Sequence, residues 1–229
     1  NGTYYESDMS WKLHLKLKSA LEARGMEVIT TRTTQAGDLG LEARGKKSAG
    51  CDLFLSLHSN AAGNGVCESV DYPVVFYPVS GKGIGLAAEL AECIHKTMGT
   101  LQPAQTRVRW NSAHNADYYG VIRFTAAFGV TGMILEHSFH TNTKATKWLS
   151  EDANLDKLAV AEADILAEFF GMESSTTTEK TAIMGKAQAT ASQMAAFCLS
   201  KNASPQLPSC TVEELARMFI EEGEAEGGR

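Results

Sequence analysis

Two short apolar segments constrain the fold of this chain more than any other part of its 229 residues. Residues 53–57 read Leu-Phe-Leu-Ser-Leu and run into His58, while residues 133–135 read Met-Ile-Leu and run into Glu136. Such runs are typical of buried strands, and ligands bind at the carboxyl ends of strands in an open α/β sheet. Taken singly, each side chain could equally be structural. A His and a Glu that two different strands bring to the same edge of a sheet are the functional groups of a metal-assisted hydrolase. Together His58 and Glu136 therefore favour a functional site.

Helical and strand-like segments alternate along most of the chain, which predicts an α/β fold. The predicted helices cover about 8–24, 41–49, 84–98 and 155–170, and the predicted strands cover 28–31, 53–57, 71–77, 121–124 and 131–135. Residues 99–117 look irregular. We expect a mostly parallel central sheet flanked by helices on both faces and followed by a small helical C-terminal segment. The continuous apolar run at 53–57 indicates a central parallel strand.

The first helix carries conflicting patterns. Residues 11–18 alternate between apolar and basic or His side chains, as a strand would, whereas four apolar residues recur at helical i+4 spacing: Met9, Leu13, Leu17 and Leu21. An N-cap at Ser7 or Asp8 and a stop at Gly25 favour the helix. On that helix His14 is expected on a solvated face.

Composition divides the chain and excludes several classes of protein. We expect a catalytic domain at 1–172, a polar linker at 173–181 and a helical segment at 182–229, where Thr211 and Glu214 form a capping box. A net charge of -6 without a basic stripe argues against a nucleic-acid binder. No apolar run of about 18 residues predicts a membrane span. Five widely spaced Cys without a CxxC pair exclude a disulfide scaffold and a Cys-based zinc site.

Six ordered stretches between about residue 1 and residue 170 resemble one family. They are residues 5–7 before the first helix, 25–32 with their Thr-Arg ending, 41–52, 53–60, 74–77 and 133–142. In this order they resemble the zinc-dependent N-acetylmuramoyl-L-alanine amidases of the type 3 family, which cleave bacterial peptidoglycan. The resemblance implies cleavage of the amide bond between N-acetylmuramic acid and L-alanine by zinc-activated water.

The resemblance also implies roles for particular residues. Glu6 and His58 match zinc ligands, and Glu136 matches the catalytic carboxylate. The third ligand of the family is a His at the end of a strand that precedes the Glu segment, so we expect it upstream of Asn1. Among the chain's own residues, His140 is the best substitute for that ligand, although a loop His that faces solvent or substrate is the plainer interpretation.

Four further residues are candidates for substrate binding. Arg109 and Trp110 could line a groove for glycan or peptide, because a cation beside an aromatic ring suits sugars and carboxylates. An exposed loop without a ligand explains them as well. Asn60 and Asn142 could donate hydrogen bonds around the metal, or could simply end their strands through their tolerance of turn conformations.

The C-terminal segment has a weaker resemblance of its own. Residues 183–229, and within them 188–198 and 213–219, resemble the opening of a glucosaminidase-type domain. Because the catalytic Glu of such domains follows further along the chain, we interpret the segment as a truncated module without activity.

The sequence therefore predicts a zinc-dependent peptidoglycan amidase that is secreted or associated with the cell wall, with its export signal removed or outside this sequence. Two alternatives stay open. One is a zinc-dependent hydrolase of wall stem peptides, and the other is a degenerate, non-catalytic wall-binding domain. The sequence does not determine stem-peptide preference or oligomeric state.

Overall fold

A computed structural model describes residues 4–172, 192, 195, 199 and 210–218, and the statements below concern these residues. The chain divides into two compact units, Asn1–Ser175 and Thr176–Arg229. The elements of the first unit are α1 (Glu6–Glu22), α2 (Leu41–Lys47), β1 (Leu53–Asn60), β2 (Val74–Phe76), α3 (Ile84–Met98), β3 (Gln105–Arg107), α4 (Gly120–Ala126), β4 (Thr131–Phe139), α5 (Thr143–Ser150) and α6 (Asp152–Phe169).

The four strands form one mixed sheet in the order β1-β4-β2-β3. Strand β1 is parallel to β4 and β2 is parallel to β3, whereas β2 and β4 are antiparallel. The predicted α/β class with a mostly parallel sheet is confirmed. The predicted central position of 53–57 is wrong for the described sheet, because β1 lies at its edge and pairs only with β4. Strand β4 is central and buried along almost its whole length.

The larger core lies on one face of the sheet, beneath α1, α3 and α6. Helix α1 contributes the four residues predicted from i+4 spacing, all of them buried: Met9, Leu13, Leu17 and Leu21. The helix begins at Glu6, with Tyr5 rather than Ser7 or Asp8 at its N-cap. Gly25 has a φ of 79°, which a glycine adopts without steric cost, and it turns the chain away just after the helix.

His14 is less solvated than the sequence predicts. It is half-buried and packs against Trp11 with ring centroids 4.6 Å apart. Burial lowers the pKa of His14, so the neutral imidazole is favoured at this position. The reason is local: Trp11, three residues earlier on the same helix, covers the ring.

A smaller core lies on the opposite face, where α4 packs on β2 and β4. Residues 121–124 were predicted as a strand, and that prediction is wrong because they belong to α4. Val121, Ile122 and Thr125 are buried at i, i+1 and i+4, which is a helical face. The Thr125 hydroxyl donates to the carbonyl oxygen of Val121, as helical threonines do. A short apolar run fits either structure, so its pattern alone does not decide.

The remaining predictions have mixed outcomes. The predicted helices at 41–49, 84–98 and 155–170 are confirmed as α2, α3 and α6, and the strand at 71–77 is confirmed in the shorter form of β2. Residues 28–31 pair with no strand in the described part of the chain, so the strand predicted there is absent. Strand β3 lies inside the stretch that was predicted to be irregular.

In the second unit, residues 212–218 are helical. The capping box is confirmed: the Glu214 carboxylate accepts from the Thr211 backbone N–H at 2.8 Å, and the Glu214 N–H donates to the Thr211 hydroxyl at 3.2 Å. The linker predicted at 173–181 lies outside the described residues, and the first part of the predicted helical segment at 182–229 is described only at residues 192, 195 and 199, which are helical. Both domain boundaries stay predictions. No helix within the described residues is long and apolar enough to cross a membrane.

Gly45 provides a stability test of the smaller core. A Cβ atom on Gly45 would lie 2.5 Å from the Phe124 Cβ and 2.7 Å from its carbonyl carbon, where α2 crosses α4. Ala favours a helix over Gly by about 1 kcal/mol. Overpacking against backbone costs about 1–3 kcal/mol, so we expect Gly45→Ala to lower the thermal midpoint.

Gly85→Ala is the matched control, because it is also a helical glycine and its added Cβ would meet nothing within 4 Å. We expect this variant to melt at or above the wild-type temperature in the same calorimetric scan. A Gly45→Ala variant as stable as Gly85→Ala would contradict the close approach of α2 and α4.

Candidate active site

The parallel pairing of β1 and β4 brings His58 and Glu136 side by side. The two residues are register partners in the ladder. Phe54 and Ile134, at even spacing from them, contribute to the smaller core. Because side chains alternate between the two faces of a sheet, His58 and Glu136 point to that same face at the carboxyl ends of their strands. The strand ends singled out in the sequence therefore meet.

Glu6 joins this pair from the first position of α1. Its Oε1 lies 2.9 Å from the Nδ1 of His58, although the residues are 52 positions apart, and it accepts from the Ser59 backbone N–H at 3.1 Å. Burial raises the pKa of Glu6, but the hydrogen bonds from His58 and Ser59 outweigh it and hold that pKa below its usual value. Glu6 is therefore an anion that faces an imidazole.

Glu136 has a different electrostatic environment. Burial raises the pKa of Glu136 to about 6, the nearby His58 opposes this shift, and the negative charge of Glu6 adds to it. Its Oε2 is buried and has no hydrogen-bond partner among the described residues. A carboxyl group with a pKa close to neutral and a free oxygen is suited to accept and return a proton.

His140 lies beside this group but is held by other partners. Its Nδ1 is 3.0 Å from the Ser59 carbonyl oxygen, to which it donates, and its ring stacks on Tyr4 at 6.0 Å. The Tyr4 hydroxyl donates to the Ser59 Oγ at 2.8 Å, and burial raises the pKa of Tyr4 to about 12, so it stays a phenol. The sequence singled out neither Tyr4 nor Ser59.

A buried ion pair, His137–Glu162, is hydrogen-bonded to the backbone of β1. His137 and Glu162 are completely buried, with Nε2 and Oε1 2.7 Å apart, and the His137 Nδ1 donates to the His58 carbonyl oxygen at 2.9 Å. Burial lowers the pKa of His137, but the Glu162 charge and hydrogen bond reverse this and raise it. A sequence signal exists for this pair: Glu162 interrupts the buried stripe of Leu155, Leu158 and Leu166. A carboxylate in such a stripe needs a buried partner.

The two candidate asparagines differ. Asn142 is buried and caps α5, because its side-chain oxygen accepts from the Ala145 N–H and its NH₂ donates to the Glu68 carbonyl oxygen. Its amide is therefore engaged in the structure of the turn. Asn60 ends β1: its backbone carbonyl oxygen accepts from the His140 N–H at 2.7 Å, and its side-chain Oδ1 accepts from the Ala61 N–H at 2.8 Å.

Arg109 and Trp110 lie at the other end of the sheet. Val74 pairs with Glu136 at the start of β2, and Phe76, at its end, pairs with Ile134. Because β3 runs parallel to β2, the chain leaves β3 on the side away from Glu136. There Arg109 stacks over Tyr118, its guanidinium carbon 3.6 Å from the ring centroid. The structure therefore does not bring Arg109 and Trp110 close to His58 and Glu136.

A groove of about 1060 Å³ runs beside β1, and Glu6 and His58 are among its lining residues. Its other walls come from α1 and from residues 25–38. Glu136 is not among the lining residues, so the groove adjoins the strand-end residues only through Glu6 and His58.

The ligand set for a metal is partial. Across the residues that the structure describes, no three His, Cys, Asp or Glu side chains are grouped to hold an ion, so His140 does not complete a trio with Glu6 and His58. Those two do fit neighbouring positions on one ion. Ligand atoms on a tetrahedral zinc with bonds of about 2.1 Å are about 3.4 Å apart, so the observed contact would need to open by only a few tenths of an ångström.

An α/β domain that gathers one imidazole and two carboxylates where two strands end and a helix begins has the functional groups of a hydrolase. A family model described as N-acetylmuramoyl-L-alanine amidase matches residues 1–168. The chain belongs to this family, and the predicted class of enzyme is confirmed: it is a peptidoglycan amidase, a hydrolase of the bond between N-acetylmuramic acid and L-alanine.

Solved structures of similar fold agree. The catalytic domain of CwlV, an N-acetylmuramoyl-L-alanine amidase from Bacillus (Paenibacillus) polymyxa var. colistinus, is 22% identical with a TM-score of 0.60, and the match covers 75% of this chain and 88% of that one. The amidase AmiC2 of Nostoc punctiforme is 20% identical with a TM-score of 0.61, and the match covers 72% of this chain and 84% of that one. Cwp6 from Clostridium difficile is 21% identical with a TM-score of 0.60 over 71% of this chain and 25% of its own. A comparison with curated proteins gave no match.

Proposed function

We propose that this amidase is zinc-dependent, with Glu6 and His58 as two of the metal ligands and Glu136 as the general base and acid. The contact that carries the proposal is the 2.9 Å approach of Glu6 Oε1 to His58 Nδ1, beside a carboxyl group whose pKa is about 6. Carboxylate and imidazole are both zinc ligands, and each of these side chains is partly exposed and open to an ion from solvent.

When bound, zinc supplies a water whose pKa is near 7 and a polarised substrate carbonyl. The protein must then move one proton. At pH 7, above its pKa of about 6, Glu136 is mostly ionised and can take the proton of the attacking water. The same carboxyl group, now protonated, can give that proton to the leaving nitrogen of L-alanine. Its Oε2, which has no hydrogen-bond partner within the described part of the chain, fits this role because no hydrogen bond has to break first.

Two surrounding features support the ligand pair. The Ser59 N–H and the first turn of α1 stabilise the anionic form of Glu6, which is the form that binds a cation. His137 donates to the carbonyl oxygen of His58 and thereby fixes the backbone from which the imidazole projects. Because peptidoglycan lies outside the bacterial membrane, we also propose that the enzyme acts at the cell wall.

Removal of metal tests the zinc requirement. We expect dialysis against a chelator to abolish the solubilisation of purified peptidoglycan, and one equivalent of zinc to restore it. Magnesium at the same concentration should not restore activity, because it prefers an octahedral set of oxygens to an imidazole. Full activity in the chelated protein, with no zinc detected by mass spectrometry, would reject the proposal.

A further inference from the structure

Ser138 has the most unusual backbone in the site region. Its φ is 109°, and among the described residues other than glycine only the exposed loop residue His114 also has a positive φ. Residues with a Cβ atom rarely adopt this conformation, which is strained unless the surroundings hold it. Ser138 is completely buried in β4, so packed neighbours surround this backbone conformation.

The strained residue belongs to a β-bulge directly after Glu136. Glu136 pairs with His58, but the next pair is Phe139 with Asn60, so two residues of β4 face one residue of β1. Bulges of this kind bend the strand and re-aim the neighbouring side chains. Here the bulge leaves Glu136 in register with His58 while the chain beyond it turns toward α5.

Three consecutive side chains hold this bulge. His137 is paired with Glu162 at 2.7 Å, and Phe139 packs against Tyr72 with ring centroids 4.8 Å apart. Between them the Ser138 hydroxyl donates to Asp71 Oδ1 at 2.7 Å, a buried contact that spans 67 positions.

Asp71 is itself held in place. It is buried, its Oδ2 accepts from the Leu101 N–H at 3.1 Å, and its backbone exchanges hydrogen bonds with Gln102. The Ser138 hydroxyl therefore ties the bulge to a carboxylate whose position other contacts already fix. A charge-assisted hydrogen bond of this length is stronger than one between neutral groups.

We propose that the buried Asp71–Ser138 hydrogen bond is a positioning device that keeps the positive-φ bulge in place and thereby aims Glu136 at the reacting centre. Ser138 and Asp71 are positioning residues and touch no reacting atom. The inference rests on the proposed role of Glu136. It adds that this chain uses a strained serine where a glycine would adopt the same backbone without strain, and that the hydroxyl offsets that strain through Asp71.

The test compares substitutions that separate the hydroxyl from the Cβ. Ser138→Ala keeps the Cβ and loses the hydrogen bond, so we expect kcat to fall roughly tenfold with KM within about twofold, because a small misplacement of a catalytic group mainly affects turnover. Ser138→Gly also loses the hydrogen bond but tolerates the positive φ. We expect its loss of kcat to be at most about one third of that in Ser138→Ala. Zinc content should match wild type in both.

A second pair of variants keeps the test decisive if Ser138→Ala is too unstable to purify. Asp71→Ala should lower kcat to a similar extent, and the double variant Asp71→Ala/Ser138→Gly should recover most of it, although the Leu101 N–H stays without its acceptor. Equal losses of kcat in the Ala and Gly variants, or no recovery in the double variant, would overturn the proposal. An inactive wild type, or a Glu136→Gln variant with full activity, would instead refute the proposed function on which it rests.

Discussion

Glu136→Gln should retain its zinc and lose at least about 100-fold in kcat, the usual size of a general acid-base contribution. The amide has nearly the same shape as the carboxyl group but does not accept and return a proton. Because Glu136 is not assigned as a ligand, the metal should stay bound by Glu6, His58 and the other donors. Turnover of a soluble muropeptide and zinc content by mass spectrometry measure the two quantities separately.

Glu89→Gln is the matched control, since it makes the same chemical change on an exposed position of α3. We expect this variant to match wild type in activity, zinc content and thermal midpoint. Loss of zinc from Glu136→Gln would mean that Glu136 is a ligand and that the roles are assigned wrongly. Unchanged turnover with zinc bound would show that another group transfers the proton.

The second large effect concerns the ligand pair. We expect Glu6→Gln and His58→Ala each to weaken zinc binding by more than the roughly 10–100-fold that is typical for loss of an outer-shell partner. The physical reason is that each change removes a direct bond to the ion. Competition with a chromophoric chelator measures the affinity, and peptidoglycan solubilisation should fall in parallel at limiting zinc.

His114→Asn is the control for the loss of an imidazole. His114 lies in the loop near Trp110, at the opposite end of the sheet, and Asn tolerates its φ of 50°. This variant should bind zinc as wild type does. If Glu6→Gln and His58→Ala also bind zinc with wild-type affinity, the metal is held elsewhere in the protein.

The sequence was sufficient to predict site residues where an ionisable side chain directly follows an apolar run at a strand end. His58 and Glu136 each follow an apolar run, and the structure makes them register partners. Glu6 carries no such pattern, and only the family resemblance singled it out. The buried face of α1 followed directly from i+4 spacing, because a long helix repeats its signal four times.

The sequence was insufficient where the direction and pairing of strands determine which residues lie close together. Apolar runs do not reveal the direction of a strand, so nothing indicated that β2 and β3 run against β4 and carry Arg109 away from the site. Four residues at 121–124 fit a strand or a helix, and packing against the sheet selected the helix. The bulge at Ser138 could not be predicted from the sequence, because serine does not indicate a positive φ as glycine does.

The bond that the enzyme cleaves is identified by the products that the zinc-loaded protein releases from a defined disaccharide–stem-peptide muropeptide. We expect two products by mass spectrometry, an intact disaccharide that keeps its lactyl group and a stem peptide with a new free amine on L-alanine. Cleavage only between amino acids of the stem would indicate a stem-peptide hydrolase instead. Binding without any cleavage would indicate a wall-binding domain, and either result would contradict the assigned amidase activity.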